Sequence, residues 1–405
     1  MTKWQKVKLG DVCSSISDTY RRNDKEVVLI NTSDVLDGKI LNHSPVKNEK
    51  LKGQFKKTFQ NNDILYSEIR PANKRFAFVD ILNTNNYIAS TKLMVLRPNT
   101  NKILPKFLYC ILKSDDIINE LQHLAETRSG TFPQITFSAE LGPMEILLPP
   151  LDIQQKIAEV LGVLDDKIEL NNKINNNLEQ QAQALFKSWF IDFEPFGGKM
   201  PDDWKVGNLL DIADYLNGLA MQKFRPEVGD CGIPVLKIKE LRQGFCDNNS
   251  ERCSSNIKKD YIIYDGDVVF SWSGSLLVDL WCGGQCGLNQ HLFKVTSKIF
   301  DKWYYYVWTK HHLDRFVVVA ADKATTMGHI KRNELEKAEV IIPTSNDYKK
   351  ISEILAPIYD MIIQNRIENT RLVQLRDTLL PKLMSGEIDV SKVNISADKL
   401  SFTED

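Results

Sequence analysis

Two stretches of the chain carry apolar residues at alternating steps of four and three, the spacing that gives an α-helix one continuous seam. The first seam consists of Ile157, Leu161, Leu164, Ile168, Asn171, Asn175, Leu178, Ala182, Leu185 and Trp189. Adding 194 to each number gives the second seam, which consists of Ile351, Leu355, Ile358, Ile362, Asn365, Asn369, Leu372, Arg376, Leu379 and Leu383. Two helices with matching seams in one chain are most simply each other's partner, so we predict a coiled coil.

The asparagines in the two seams recur in register, as Asn171/Asn175 and Asn365/Asn369. Asparagine at a seam position lowers stability but fixes register and partner number. Because each pair lies near the middle of its seam, Asn faces Asn in a parallel or an antiparallel arrangement, and the ladder alone leaves both open. The short connection after the first helix, roughly ten residues, favours an antiparallel pair with a globular segment at each end.

The remainder of the chain forms two globular segments that repeat one another. Trp4–Val12 recurs as Trp204–Ile212, and Asn62–Ser67 recurs as Gly266–Ser271. Ile135 recurs as Ile330. The offsets of these three matches are 200, 204 and 195, so loops within the globular segments gained or lost residues while the helices kept their register.

This organisation predicts an α+β protein with two mixed α/β domains joined by two long helices packed as an antiparallel coiled coil. At 405 residues the chain is long enough for two or more domains. The predicted boundaries follow the repeat: a first domain at 1–150, a first helix at 151–195, a linker and second domain at 196–343, a second helix at 344–390, and a polar tail at 391–405.

Local patterns predict the elements inside each domain. The predicted strands are Val27–Ile30, Ile64–Tyr66, Phe76–Val79, Lys92–Leu96, Pro234–Ile238, Val268–Ser271 and Leu292–Val295, with Phe316–Ala321 as a further buried strand. The predicted shorter helices are Leu104–Lys113, Ile117–Leu124 and Trp303–Leu313. We expect Asp152 and Asn346 to cap the long helices, and Pro357 and Pro381 to kink or break the second one.

The charge is unevenly distributed, although the net charge is only −1. Residues 1–150 carry +5, whereas residues 151–200 carry −3 and residues 344–405 carry −2. Such weak overall basicity suggests that any affinity for DNA is shared with partner subunits. No apolar stretch approaches the roughly 18 residues of a membrane helix, and the first residues have no signal-peptide pattern, so we expect a cytoplasmic protein without membrane contact.

Five of the seven cysteines lie in one region, at Cys231, Cys246, Cys253, Cys282 and Cys286. Cys282-x-x-x-Cys286 with the nearby His291 could suggest zinc, but this spacing is not a standard ligand pattern. Reduced, structural thiols are the favoured interpretation, and we expect no metal site.

Motifs of catalytic sites are absent from the sequence. Gly197-Gly198-Lys199-Met200 lacks the upstream glycine and the hydroxyl residue of a phosphate-binding loop. Leu148-Pro-Pro-Leu151 lacks the polar residue that binds the target amine in amino-methylating enzymes. The histidines show no ligand spacing. These absences argue against a chain with its own nuclease or methyltransferase activity.

Several segments resemble the specificity subunit of type I restriction–modification systems, and the likeness covers essentially the whole chain. The segments are Asn62–Pro71, Arg128–Ile135, Ile146–Ile157, Gly232–Glu240 and Leu383–Ile388. The second copy departs from the pattern, since Thr325–Ile330 replaces the Ser-Gly-Thr stretch of the first. The resemblance implies two target-recognition domains that each read one half of a bipartite DNA site, and an antiparallel coiled coil that sets the gap and docks the modification subunits.

The resemblance also implies the partners and cofactors. We expect double-stranded DNA, two methyltransferase subunits, and restriction subunits that join through the complex. S-adenosylmethionine, Mg and ATP are expected only in those partners, with no cofactor bound by this chain. Helices of roughly 50 Å would hold the domains about 14–15 base pairs apart. The alternative is a coiled-coil scaffold without direct DNA contact. Sequence-specific DNA binding in the presence of modification subunits would distinguish the first hypothesis from this alternative.

We expect DNA contacts on basic and amide loops, where Arg and Gln read base edges and Lys meets phosphate. Each candidate taken singly also has a structural explanation that is more common than DNA contact. A lysine-rich stretch is usually a solvent-exposed face, and a tryptophan such as Trp272 usually belongs to the core. The candidates in the first domain are Tyr20, Arg21, Arg22, Lys52, Lys56, Lys57, Arg70, Lys74, Arg75, Arg128, Ser129, Thr131 and Gln134. The candidates in the second domain are Lys223, Arg225, Ser271, Trp272, Ser273, Lys323, Thr325, Thr326 and His329.

Overall fold

The computed structural model describes residues 4–49, 53–322 and 330–390 of the chain. The chain divides into a first unit, residues 1–165 with 375–405, and a second unit, residues 166–374. Both divisions fall inside the long helices, so each unit combines one globular segment with part of each helix. In each unit the globular segment packs directly on the long helices, because residues of both share one hydrophobic core.

The elements of the two halves follow a similar order. Those of the first half are β1 (Gln5–Lys8), α1 (Leu9–Val12), β2 (Cys13–Ile16), β3 (Glu26–Ile30), β4 (Val35–Leu36), β5 (Lys39–Ile40), β6 (Val46–Lys47), β7 (Phe55–Lys57), β8 (Ile64–Ser67), β9 (Phe76–Phe78), β10 (Tyr87–Ser90), β11 (Leu93–Pro98), α2 (Pro105–Leu112), α3 (Asp115–Arg128), β12 (Glu145–Leu148) and α4 (Leu151–Phe190). Those of the second half are β13 (Lys205–Asn208), α5 (Leu209–Ile212), β14 (Asp214–Asn217), β15 (Ile233–Leu236), α6 (Ile238–Gln243), β16 (Arg252–Cys253), β17 (Ile262–Ile263), β18 (Val268–Ser271), β19 (Leu277–Leu280), β20 (Cys286–Leu288), β21 (Leu292–Thr296), α7 (Lys302–His311), α8 (Leu313–Asp322), α9 (Arg332–Glu336), β22 (Glu339–Ile342) and α10 (Ser345–Met384). The two orders differ in that α6 of the second half takes the place of β4 and β5, and α9 is added before the last strand.

The four-stranded sheets of the first unit are matched strand for strand in the second, whereas the two-stranded sheet β4-β5 of the first unit has no counterpart among the described residues of the second. In the first unit the four-stranded sheets have the orders β2-β11-β8-β9 and β6-β3-β10-β7. In the second unit the orders are β14-β21-β18-β19 and β16-β15-β20-β17. The parallel pair β3/β10 recurs as β15/β20, and the antiparallel pair β1/β12 recurs as β13/β22. The repeat seen in the sequence is thus a duplicated fold.

The sheet that contains β8 and the sheet that contains β18 are each buried on both faces, which explains why their strands are continuously apolar. Along β8, Ile64 and Tyr66 face one core, while Leu65 faces the other. The same alternation occurs in β18, where Val268 and Val269 enter different cores. One core lies under the helices, and the other lies between the two sheets of the unit.

The long helices pack antiparallel, as predicted. Within the second unit, Asn171 donates to the side chain of Asn369 over 2.9 Å, and Asn365 donates to Asn175 over 2.8 Å. As the residue number rises along α4, that of its partner falls along α10. Within the first unit, Arg376 of α10 donates to Asp165 of α4 over 3.0 Å.

The seam residues differ in burial along the helices. Ile157, Leu161, Leu164, Asn171, Asn175, Ala182, Ile351, Leu355, Ile362, Leu372 and Leu383 are buried. Ile168, Leu178, Leu185, Trp189, Ile358, Asn365, Asn369, Arg376 and Leu379 are partly buried. The apolar face is wider than a coiled-coil seam, because Phe186, Phe190 and Tyr359 are also buried, against the helices and sheets of the second unit.

Several sequence expectations about the helices need correction. Helix α10 runs from Ser345 to Met384 without a break at Pro357 or Pro381, because apolar residues on both sides of each proline are packed in a core. The helix begins at Ser345, where the hydroxyl of Thr344, rather than Asn346, accepts from the amide of Asp347 over 3.2 Å. Helix α4 begins at Leu151, so Asp152 lies in its first turn instead of capping it.

Phe316–Ala321 forms part of helix α8, not a strand. Its β-branched residues suit a strand locally, but Phe316 is fully buried in the helical core of the second unit, and this packing overrides the propensity. No helix within 4–49, 53–322 or 330–390 combines the length and apolarity needed to cross a membrane.

Candidate nucleic-acid interface

The loop between β8 and β9 brings two groups of predicted DNA-contacting residues together. At its start, the hydroxyl of Ser67 donates to the carbonyl of Ile69 over 3.2 Å. The amide of Ile135 donates to the carbonyl of Glu68 over 2.8 Å, and the amide of Arg70 donates to that of Pro133 over 3.1 Å. The segment 68–75, which holds Arg70, Lys74 and Arg75, therefore lies beside the segment 128–135. We call these two segments the first edge loops.

Arg70 and Lys74 both adopt the left-handed backbone conformation, with φ of 46° and 52°. For a residue other than glycine this conformation costs on the order of 1–2 kcal/mol, and such strain is typical of functional sites. Lys74 pairs with Asp115 over 3.1 Å, and Arg75 donates to the carbonyl of Ser33 over 3.0 Å. Arg70 is exposed, and its guanidinium has no partner among the residues that the structure describes. In the segment 68–75, Arg70 is therefore the basic residue whose side chain is available to a ligand.

A polar network supports the first edge loops from beneath. Glu68 lies 3.9 Å from Lys57 and 3.7 Å from Lys92, which donates to the side-chain oxygen of Gln134 over 3.1 Å. Lys57 also donates to the carbonyl of Leu93 over 2.8 Å, and burial lowers the pKa of its ammonium group. Lys57 therefore points into the domain, whereas Gln134 is held at the surface of the loop.

The remaining candidates of the first unit have mixed environments. Arg128 pairs with Glu140 over 3.1 Å, and the hydroxyl of Ser129 accepts from the amide of Phe132 over 3.2 Å. Thr131 is exposed.

A second basic edge lies elsewhere in the same unit, where the amide of Tyr20 donates to the carbonyl of Lys56 over 2.8 Å. The hydroxyl of Tyr20 donates to Asp24 over 2.7 Å. The side chains of Arg21, Arg22 and Lys56 are exposed there. Lys52 lies outside the described residues.

In the second unit the loop between β18 and β19 begins in the same way as its counterpart. The hydroxyl of Ser271 donates to the carbonyl of Ser273 over 3.2 Å, and the amide of Ile330 donates to the carbonyl of Trp272 over 3.1 Å. Ser271 is fully buried and Ser273 is buried, so neither hydroxyl is presented at the surface. Their side chains hold the loop together instead.

Polar and aromatic side chains surround this loop. The indole nitrogen of Trp272 donates to Asn217 over 2.9 Å, and Ser273 is hydrogen-bonded to His291 over 2.9 Å. Gln290 lies 3.3 Å from the other nitrogen of that ring. Asn217, Gln290 and His291 were not predicted to contact DNA, and His291 was considered only as a zinc ligand. For Gln290 and His291 the available signal was their position directly before the predicted strand Leu292–Val295.

The other candidates of the second unit lie apart from this group or outside the description. Lys223 and Arg225 are exposed, and Arg225 lies 3.9 Å from Glu251. Lys323, Thr325, Thr326 and His329 lie outside the described residues. The two units thus place different chemistry on the same scaffold: a strained arginine and an amide in the first, and an indole, an imidazole and amides in the second.

The clustered cysteines are free thiols. The sulfurs of Cys246 and Cys286 lie 3.5 Å apart, while Cys282 is buried and points its sulfur toward the carbonyl of Ile363, 3.9 Å away. Across residues 4–49, 53–322 and 330–390, no three His, Cys, Asp or Glu side chains are grouped as metal ligands.

Comparison with known proteins identifies the family. The model for the type I restriction modification DNA specificity domain matches residues 1–180 and 201–375. The HindI specificity subunit of a type I restriction enzyme from Haemophilus influenzae is 31% identical, with 96% of this chain and 100% of that protein covered. The MjaIX specificity subunit from Methanocaldococcus jannaschii is 30% identical over 72% of this chain and 71% of that protein.

A solved structure supports the fold separately from the sequence matches. The S subunit of a type I restriction–modification system from M. genitalium has a TM-score of 0.57 at 15% identity, with 95% of this chain and 96% of that chain covered. At this identity the likeness bears on the fold alone. Since the family model covers most of the sequence, the chain belongs to the type I restriction–modification DNA specificity family.

Proposed function

We propose that this chain selects the DNA sequence on which a type I restriction–modification complex acts, and that each unit reads one half of an asymmetric, bipartite site. One observation carries this proposal: the four-stranded sheets of the two units have the same strand order, but the loop between β8 and β9 differs in sequence from the loop between β18 and β19. A common scaffold with unlike loops is suited to reading two unlike sequences, because loops carry specificity while the scaffold positions them.

The chemistry of the edge loops suits double-stranded DNA. Arg70 and Gln134 offer the forked donors and the amide that recognise guanine and adenine edges, and Lys74 offers a charge for phosphate. In the second unit, Asn217, Gln290 and His291 offer neutral hydrogen-bonding groups beside the indole of Trp272. The modest excess of positive charge in residues 1–150 fits a subunit whose DNA affinity is shared with its partners.

In this proposal the helix pair sets the spacing between the half-sites and docks the modification subunits, two for each specificity chain. Restriction subunits join through that complex. The partner subunits bind S-adenosylmethionine, Mg and ATP, and they catalyse the methylation of adenine and the cleavage of DNA. The asparagine network between α4 and α10 supports the spacing role, because paired polar groups within a seam permit few alternative registers.

An exchange of globular segments tests the proposal. Residues 1–150 are replaced by those of another family member, and the modified positions are mapped by methylation-sensitive sequencing of DNA from cells that contain the complete system. We expect one half-site to change and the other to remain. The reciprocal exchange of residues 201–343 should alter only the other half. A change in both halves after either exchange would contradict separate reading.

A scaffold without DNA contact makes a different prediction in the same experiment. For such a scaffold, neither exchange would change the methylated sequence, because any sequence preference would belong to the partner subunits.

A further inference from the structure

The loops that follow β8 and β18 are structurally equivalent for their first three residues. The hydroxyl oxygens of Ser67 and Ser271 each lie 3.2 Å from the carbonyl oxygen two residues later, and that of Ser271 also lies 2.9 Å from the carbonyl oxygen of Ser275. One residue further along, Glu68 and Trp272 accept from the amides of Ile135 and Ile330. These paired contacts establish a residue-by-residue correspondence with an offset of 204, independently of the sequence match.

At the third position this correspondence aligns Arg70 with Gly274, and both have positive φ, of 46° and 66°. The second unit therefore uses the residue that adopts this conformation without strain, while the first unit uses an arginine. A β-carbon added at Gly274 would come no nearer than 3.6 Å to a neighbouring atom, so space does not exclude a side chain there. The positive φ at this position is common to both units, whereas the arginine side chain is present only in the first.

The backbone around Arg70 is held firmly. Its amide donates to the carbonyl of Pro133 over 3.1 Å, and its carbonyl accepts from the amide of Asn73 over 2.9 Å. The guanidinium is exposed and has no partner among the described residues, in contrast to the neighbouring Lys74 and Arg75. A strained but well-anchored backbone that presents a free guanidinium is the arrangement expected of a preorganised contact.

We propose that Arg70 is a specificity-determining residue of the first unit and reads a guanine in its half-site. This inference rests on the proposed function. The planar fork of arginine matches the O6 and N7 acceptors of guanine in the major groove, whereas a contact to phosphate could be made by a lysine at an unstrained neighbouring position. Gly274 leaves the equivalent place in the second unit without a side chain, so that unit reads its half-site through other residues.

The test uses the full chain assembled with its modification subunits and a DNA library randomised in both half-sites. Three variants are compared with the wild type: Arg70→Gly, Arg70→Lys and Asn62→Gly. Asn62 is a matched control, because it has φ of 69°, aligns with Gly266 at the same offset of 204, and lies before β8 rather than in the edge loops. Methylated sequences and the melting temperature of each chain are measured.

We expect Arg70→Gly to lose discrimination at one guanine–cytosine pair by about 5- to 150-fold, with the other half-site unchanged. Its melting temperature should rise by about 2–4 °C, because glycine relieves the strain. Arg70→Lys should also lose discrimination while keeping more of the total binding, since a lysine cannot present two parallel donors. Asn62→Gly should keep the wild-type preference.

Other outcomes would overturn the inference. An Arg70→Gly complex with unchanged preference, or one that melts lower than the wild type, contradicts the role or the strain assigned to Arg70. Discrimination retained in Arg70→Lys would contradict recognition of guanine by the two parallel donors of the guanidinium. If the wild-type complex itself showed no bipartite preference, the proposed function would fail instead, so the two failures are distinguishable.

Discussion

The side-chain amide of Asn365 donates to the carboxamide oxygen of Asn175 over 2.8 Å, from one long helix to the other. Asn175 is buried, and its own amide donates to the carbonyl of Ile362 over 3.2 Å. A slip of one seam step would place one of these two asparagines opposite an apolar residue: Asn365 opposite Leu178 in one direction, or Asn175 opposite Ile362 in the other. The pair therefore lowers the stability of the helix pair but favours one register of α4 against α10, as polar residues in coiled-coil seams do.

We predict that Asn175→Leu lowers the free energy of unfolding by about 1–3 kcal/mol, because the Asn365 amide loses its acceptor. The double variant Asn175→Leu/Asn365→Leu should be close to the wild type or more stable, since both polar partners are gone. Chemical denaturation of the wild type, both single variants and the double variant forms a complete cycle. Additive effects of the two substitutions would show that the observed hydrogen bond contributes no coupling.

Arg366 joins three elements of the second unit. It donates to Glu179 of α4 and to Asp279 of β19, both over 2.8 Å, from its place on α10. Arg366→Ala should lower the free energy of unfolding by about 2–3 kcal/mol, because two partly buried carboxylates lose their cation. Denaturant unfolding measures the loss.

Lys173 provides the control for Arg366. Its pair with Glu169 joins exposed side chains within one helix, four residues apart. Lys173→Ala should change stability by no more than about 0.5 kcal/mol. Equal effects of the two substitutions would contradict the bridging role of Arg366.

We predict that His312 makes the second unit less stable in acid. Burial lowers the pKa of its imidazole to about 4, the neighbouring His311 and Arg315 act in the same direction, and a hydrogen bond to the carbonyl of Glu339 acts against them. Between the ordinary pKa of about 6.5 and this value, the unfolded chain binds the proton more readily than the folded chain. Stability is therefore full above about pH 6.5 and is lost as the pH falls toward 4.

The variant His312→Gln isolates this effect, since its amide can still donate to the carbonyl of Glu339. We expect the wild type to lose on the order of 2 kcal/mol more than the variant between pH 7 and pH 4. Denaturant unfolding at a series of pH values measures the difference. Parallel stability profiles for the two proteins would show that His312 does not carry the acid sensitivity.

The sequence predicted those features that depend on short-range periodicity. The seam spacing predicted that the two helices pair, and the short linker after the first helix favoured the antiparallel direction. The apolar runs at Ile64–Tyr66 and Val268–Ser271 mark strands that are buried on both faces. Duplication made these inferences stronger, because a feature found at both offsets has two independent chances to be recognised. Periodicity gave no warning that Phe316–Ala321 is helical, since only its tertiary packing decides between helix and strand.

Contacts between residues far apart in the chain could not be predicted from periodicity. Gln154 is buried at the start of α4, donates to the carbonyl of Lys102 over 3.0 Å, and accepts from the amide of Leu104 over 2.9 Å. Nothing in the local sequence marks this glutamine as structural. Likewise, the positive φ of Arg70 follows from the way the edge loops pack together, and the sequence shows only an arginine before a proline.

The length of the helix pair gives a prediction that rests on the proposed function. An insertion of four residues in α4 beside Asn171, about one helical turn or ~6 Å, should lengthen the tolerated spacer between half-sites by one or two base pairs. It should leave both half-sites unchanged, because the edge loops lie outside the insertion. Methylation-sensitive sequencing of DNA from cells with the altered chain measures the spacer.

A control insertion distinguishes a spacing effect from general damage. The same four residues placed after Gly229, in an exposed loop of the second unit, should leave the spacer as it is in the wild type. Because an insertion in α4 alone also shifts Asn171 and Asn175 away from Asn369 and Asn365, a matching insertion in α10 should recover stability while keeping the longer spacer. A spacer that stays at its wild-type length in both helix variants would mean that the helix pair does not set the distance between the half-sites.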